Sequence, residues 1–144
     1  MHRASVAILR CAEYDFEKLK MYLGEPKSPR EALRWKLEGG ITKCIHVLLF
    51  SEAYHWNKSD CHSNRNIPNG KKAPVKLRKM LARIMNNSTS SQTENERIAK
   101  LQGGIRNVVI YIQKIKRDNN YLNSIMLQQS YEYLQELLEL KISQ

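Results

Sequence analysis

Apolar residues recur at spacings of three and four along most of this chain, the period of a helix with one buried face. Between residues 4 and 22, Val6, Leu9, Tyr14, Phe16 and Leu19 keep mostly helical spacing, and Gly24 and Pro26 end the element. Ser28, Pro29 and Glu31 then form a start signal: a hydroxyl cap, a proline at the first helical position, and an acid placed to close a capping box. The spacing predicts a short helix from here that stops at Gly39-Gly40.

Residues 41–56, ITKCIHVLLFSEAYHW, are apolar on nearly every side. Such a segment is usually a central, buried helix. A buried strand has the same composition, but no other convincing strand is present for it to pair with. Residues 57–73, rich in Asn, Ser, Pro and Gly, read as a loop, and Pro74 as the start of the next helix. That helix ends in the polar stretch 86–93, read as a second flexible loop, and Thr93 with Glu96 supplies another capping box.

Over 94–118 the β-branched residues Val108, Val109, Ile110 and Ile112 favour a strand locally. Periodicity opposes this, because Ile98, Leu101, Ile105, Val108, Val109, Ile112 and Ile115 fall on one helical face. Gly103-Gly104 weakens that helix and marks either a kink or a close backbone approach. The final helix, 120–142, has two apolar rows: Leu122, Ile125, Met126, Tyr133, Leu137 and Leu140, and Leu127, Tyr131, Leu134 and Leu138. So broad an apolar surface needs two neighbours, or one neighbour and a partner protein. The prediction is an all-α fold: a compact bundle of five to six helices with a basic loop-helix segment, forming a single helical domain over 1–144.

Charge changes the picture from fold to function. The 144 residues carry a formal net charge of +10, and the excess is regional. Residues 58–85 hold eight Lys or Arg against one acid, and 94–118 hold six against three, while 119–144 hold one against three. A regional cation excess points to an acidic partner, with nucleic acid ahead of an anionic membrane surface. The longest apolar run, CIHVLLF at 44–50, is too short to span a bilayer. The cations at 71–83 are accompanied by no Trp or Phe, so no membrane partner is expected.

On a helical wheel of 75–85, Leu77, Met80, Leu81 and Ile84 face a core, and Lys76, Lys79 and Arg83 form an adjacent row. Lys72 extends this row if the helix begins earlier than Pro74, and Arg78 lies on the opposite flank. Cations three and four apart repel, and no acid within 70–85 offsets them. A phosphate backbone would. Arg65, Lys71 and Lys72 precede the helix as further phosphate donors, and Arg106, Lys114 and Arg117, with Gln113 and Tyr111, offer a second contact. The bland alternative is that these cations pair with Glu132, Glu136 and Glu139 of the final helix, inside the fold or across a dimer.

Chemistry is less well supported. His55, Cys61 and His62, with Cys44 or His46, form the one metal-like cluster, but structural zinc sites normally show close pairs such as Cys-x2-Cys. No metal and no cofactor are expected. There is no Gly-x-Ser-x-Gly, and Asn69-Gly70-Lys71-Lys72 lacks the earlier glycine of a phosphate-binding loop. None of His46, His55 or His62 follows an Arg by four to six residues, the signature of HEPN-family helical RNases. The row Glu132, Glu136, Glu139 reads as a solvated face rather than an acid–base site.

The three scattered cysteines, Cys11, Cys44 and Cys61, suit a reducing compartment, and the expected location is cytoplasmic. The sequence is therefore read as a non-enzymatic subunit of a larger nucleoprotein complex that grips RNA or single-stranded DNA by its phosphates. Other protein subunits are expected to contact the 120–142 helix. In charge and helix count the chain resembles the small helical subunits of multi-subunit CRISPR effector complexes, which line a nucleic-acid strand. That resemblance implies a role in antiviral defence and assigns no residues; ribosome-associated proteins share the same features. The competing classes are a protein-interaction module whose basic helix docks an acidic partner, and a helical nuclease or metal-dependent enzyme.

Overall fold

Local capping chemistry sets where the helices begin. In the computed structural model, which describes residues 12–59, 68–118 and 125–142, Ser28 Oγ accepts the Glu31 backbone N–H at 3.1 Å, and Glu31 Oε1 accepts the Lys27 N–H at 2.7 Å. Thr93 Oγ1 and Glu96 repeat the arrangement, at 3.1 Å for the Glu96 N–H and 3.3 Å for the Gln92 N–H. Side chains are described for 16–48, 75–117 and 128–142.

The described residues form five helices and no strand: α1 (Ala12–Leu23), α2 (Pro29–Ser59), α3 (Pro68–Thr89), α4 (Glu94–Asp118) and α5 (Ile125–Leu138). α1 ends as the sequence predicts, with Gly24 at φ 85° and its N–H bonded to the Lys20 carbonyl.

Three boundaries differ from the sequence reading. The expected stop at Gly39-Gly40 is not one, since α2 runs unbroken through both glycines for 31 residues, about 46 Å. A Cβ on Gly40 would lie 2.5 Å from Leu137 Cδ1, so the glycine marks a close approach of α5 rather than an end. The expected loop at 57–73 is also mostly replaced at its edges: 57–59 belong to α2, and 68–73 are the first turns of α3. Pro68, not Pro74, takes the first helical position. The polar stretch 86–93 is helical to Thr89, which leaves 90–93 as the connection.

α2 is the central element and packs against each of the other four helices. α4 packs against α2, α3 and α5. The core is drawn from α2 (Leu37, Ile41, Val47, Leu48), α3 (Leu77, Leu81), α4 (Leu101, Ile105, Val108, Ile112) and α5 (Leu134, Leu137), all with essentially no solvent exposure. The predicted helical face of α4 is thus its buried face, and tertiary packing overrides the local strand preference of its valines and isoleucines. α5 packs mainly against α2 and α4, with a smaller contact to α1, and these neighbours account for its buried Tyr133, Leu134 and Leu137 within the chain.

A half-buried ionic cluster ties the start of α4 to α2. Arg34, with 14% of its side chain exposed, bonds Glu38 at 2.9 Å, Glu94 of α4, and Glu31 at 3.6 Å. Burial works against the charge on this guanidinium, but its hydrogen bond to Glu94 and the charges of Glu38 and Glu94 outweigh it and hold its pKa above the ordinary value. At the opposite extreme, Met21 and Tyr22 at the end of α1 are 82% and 85% exposed, followed by exposed Leu23. Among the described residues no helix is long and apolar enough to cross a membrane.

Candidate nucleic-acid interface

The geometry of the candidate site follows from how α3 meets α4. Lys76 Nζ lies 4.7 Å from the centre of the Tyr111 ring. Ile84 is the neighbour that a Cβ on Gly104 would strike, and Lys100 Nζ approaches the Asn87 carbonyl at 3.5 Å. Numbers rise on α3 as they fall on α4, so the two helices form an antiparallel hairpin joined by 90–93. Leu77, Leu81 and Ile84 are buried under it, as the helical wheel requires.

Lys76, Lys79 and Arg83 are exposed on α3, in one row beside the core. Among the described residues no acid forms an ion pair with any of the three. Among the described residues, none of these three cations pairs with Glu132, Glu136 or Glu139 of the final helix. α5 packs against α2 and α4, and Glu132 accepts a 2.8 Å hydrogen bond from Gln128 on its own helix. Arg78, on the opposite flank, is half-buried and has a partner. Since α3 begins at Pro68, Lys72 lies one turn before Lys76 in the same helical register, and Lys71 is on the same helix. Arg65 lies outside the described residues.

The expected second contact on α4 divides into two rows. Arg106, Ile110, Gln113 and Arg117 share one face. Gln113 of this row donates to the Tyr131 hydroxyl of α5 at 2.9 Å, while Arg106 and Arg117 are exposed. Ile110 in this row is 55% exposed. Lys114 belongs instead with Lys100, Asn107 and Tyr111, the row that borders α3. The structure therefore groups Lys114 with the α3 row and sets Arg106 and Arg117 apart from it. Tyr111, expected beside this second contact, is half-buried beneath Lys76.

An open groove of about 570 Å³ runs along this hairpin. Met80, Ile84 and Val108 supply apolar walls, and Arg83, Lys100, Asn87 and Asn107 supply polar groups. Lys100 is held only loosely, 3.9 Å from Glu96. Gly103 and Gly104 both border the groove, for different reasons. Gly104 is required by Ile84, whereas a Cβ on Gly103 would meet nothing within 4 Å. Lys100, Asn107 and Lys114, spaced by seven, carried a sequence signal for this edge that charge counting alone passes over. The groove itself needs two helices and has no signature in either.

The metal-like cluster is not assembled by the described residues, which contain no group of three or more His, Cys, Asp or Glu able to hold an ion. Cys61 and His62 lie outside them, as does the side chain of His55. His46, expected near the core, is exposed on α2, and Cys44 is buried among core residues. No protein-family model, curated protein or solved structure matches this chain.

Proposed function

We propose that this protein is a non-enzymatic nucleic-acid-binding subunit that holds RNA or single-stranded DNA by its phosphates along the α3–α4 hairpin, within a larger nucleoprotein complex. The observation that carries this reading is the exposed row Lys76, Lys79 and Arg83, without an ion-pair partner among the described residues, on a helix rigidly seated by Leu77, Leu81 and Ile84. Three like charges on one face repel each other, and a phosphate strand converts that repulsion into counterion-releasing attraction. Lys100 and Lys114 lie beside the row on α4, and Lys72 extends its register. Arg106 and Arg117 form a separate basic face, available to a strand that wraps α4. The exposed Met21, Tyr22 and Leu23 support a protein neighbour in such a complex, because an apolar cluster of this kind is usually covered by a partner.

The test is charge reversal at all three positions, Lys76→Glu, Lys79→Glu and Arg83→Glu. All three side chains are exposed, so the fold and its thermal midpoint should hold while affinity for RNA and single-stranded DNA is lost. Unchanged affinity in the folded variant would reject this surface. If the wild type binds a polyglutamate chain in preference to nucleic acid, the protein is instead an interaction module for an acidic partner.

A further inference from the structure

Gly103 raises a question that the fold does not answer. It stands in the middle of α4, where glycine is the least favoured residue after proline. Its neighbour Gly104 has a packing reason, but Gly103 has none: a Cβ there would project into open space. That space is the groove bordered by Met80, Ile84 and Val108 on its apolar side and by Arg83 and Lys100 at its rim. No described residue bonds the side-chain amides of Asn87 or Asn107, which also border it.

We infer that the groove seats an unpaired nucleobase of a single strand, with Gly103 kept bare to admit it. This rests on the reading of α3 as a phosphate-binding surface and adds what that surface selects. The chemistry fits a nucleotide at each point. A flat heterocycle gains chiefly from burial against the half-buried Met80, with Ile84 and Val108 forming the floor behind it. Its edge offers donors and acceptors that a carboxamide such as Asn87 or Asn107 can match. Its own phosphate falls near Arg83 and Lys100, and the neighbouring phosphates continue along Lys79 and Lys76. A base paired within a duplex cannot enter, so the groove confers preference for single strands; an acidic peptide would satisfy the cations but leave the groove empty.

The experiment compares the wild type with Gly103→Leu and Asn107→Ala. The probes are labelled RNA and DNA single strands of about 12 nucleotides, the matching duplexes, and poly-L-glutamate. Thermal melting of each variant runs in parallel. Leucine at 103 has room, so Gly103→Leu should fold with an unchanged or raised melting midpoint. It should bind single strands about fivefold or more weakly, the scale of losing one apolar contact and one hydrogen bond to the base. Its salt dependence should stay that of the wild type, since every cation remains. Asn107→Ala should weaken single-strand binding in the same direction.

Wild-type affinity for duplex or polyglutamate equal to that for single strands would overturn the inference and leave a plain polyanion surface. Single-strand binding by Gly103→Leu at wild-type strength would also overturn it, with the phosphate reading intact. Failure of the wild type to bind any nucleic acid would remove that underlying reading itself.

Discussion

Gly104 of α4 and Ile84 of α3 touch so closely that no side chain fits between them: a Cβ on Gly104 would lie 2.5 Å from Ile84 Cγ1 and 2.8 Å from both Cδ1 and Cγ2. Rotating the end of the isoleucine moves only Cδ1, and its branched Cβ holds the other two atoms in place. Gly104→Ala should therefore destabilise the protein by about 1–3 kcal/mol through overpacking, despite the better helix propensity of alanine. Gly103→Ala should do the opposite and stabilise by up to about 1 kcal/mol, since its Cβ meets nothing. Urea denaturation of the two variants decides the matter, and shifts of the same sign would contradict this account of the hairpin.

A second glycine pair makes the same distinction on α2. A Cβ on Gly40 would lie 2.5 and 2.7 Å from the two methyls of Leu137, which is fully buried and has nowhere to turn. At Gly39 the nearest neighbour would be Leu19 at an ordinary 3.7 Å. Gly40→Ala should lower stability by about 1–3 kcal/mol, and Gly39→Ala should be neutral or stabilising. If α2 instead broke at these residues, as the sequence suggests, alanine would be costly at whichever glycine took the left-handed conformation, and Leu137→Ala would not relieve the cost at Gly40.

That contrast explains what could be read in advance. The capping boxes at Ser28 and Thr93 were legible because each is a local exchange of hydrogen bonds within four residues. The buried face of α4 was legible because periodicity survives its β-branched residues. The row Lys76, Lys79, Arg83 was legible because Leu77, Leu81 and Ile84 fix the orientation of the helix. Gly39-Gly40 was misread because a helix terminus and a close helix crossing require the same residue, and only Leu137, nearly a hundred positions away, distinguishes them. Pro74 reads as the helix start because a proline suits the first helical position, but Pro68 meets the same local requirement and is the one used. The groove was invisible for the same reason as the Gly40 contact: it exists only where α3 and α4 meet.

Arg34 gives a third prediction. It bridges Glu38 on α2 and Glu94 at the start of α4 while only 14% exposed. Arg34→Ala should cost about 1–3 kcal/mol, because the glutamates around it lose a largely buried counter-charge. A double-mutant cycle with Glu94→Gln should return a coupling of about 0.5–3 kcal/mol. The raised pKa of Arg34 means that its contribution is complete below the ordinary arginine value and is lost only in strong alkali, so the coupling should be constant between neutral and mildly alkaline pH. Independent, additive effects would show that the bridge does not tie the helices together.

If phosphates neutralise the cation row on α3, the affinity for single strands must depend on salt. The logarithm of the association constant for the wild-type protein should fall linearly with the logarithm of salt concentration, by about 0.7 per neutralised phosphate, which is a slope of about −2 or steeper for Lys76, Lys79 and Arg83 together. Binding that is absent at low salt, or that does not change as salt rises, would contradict it.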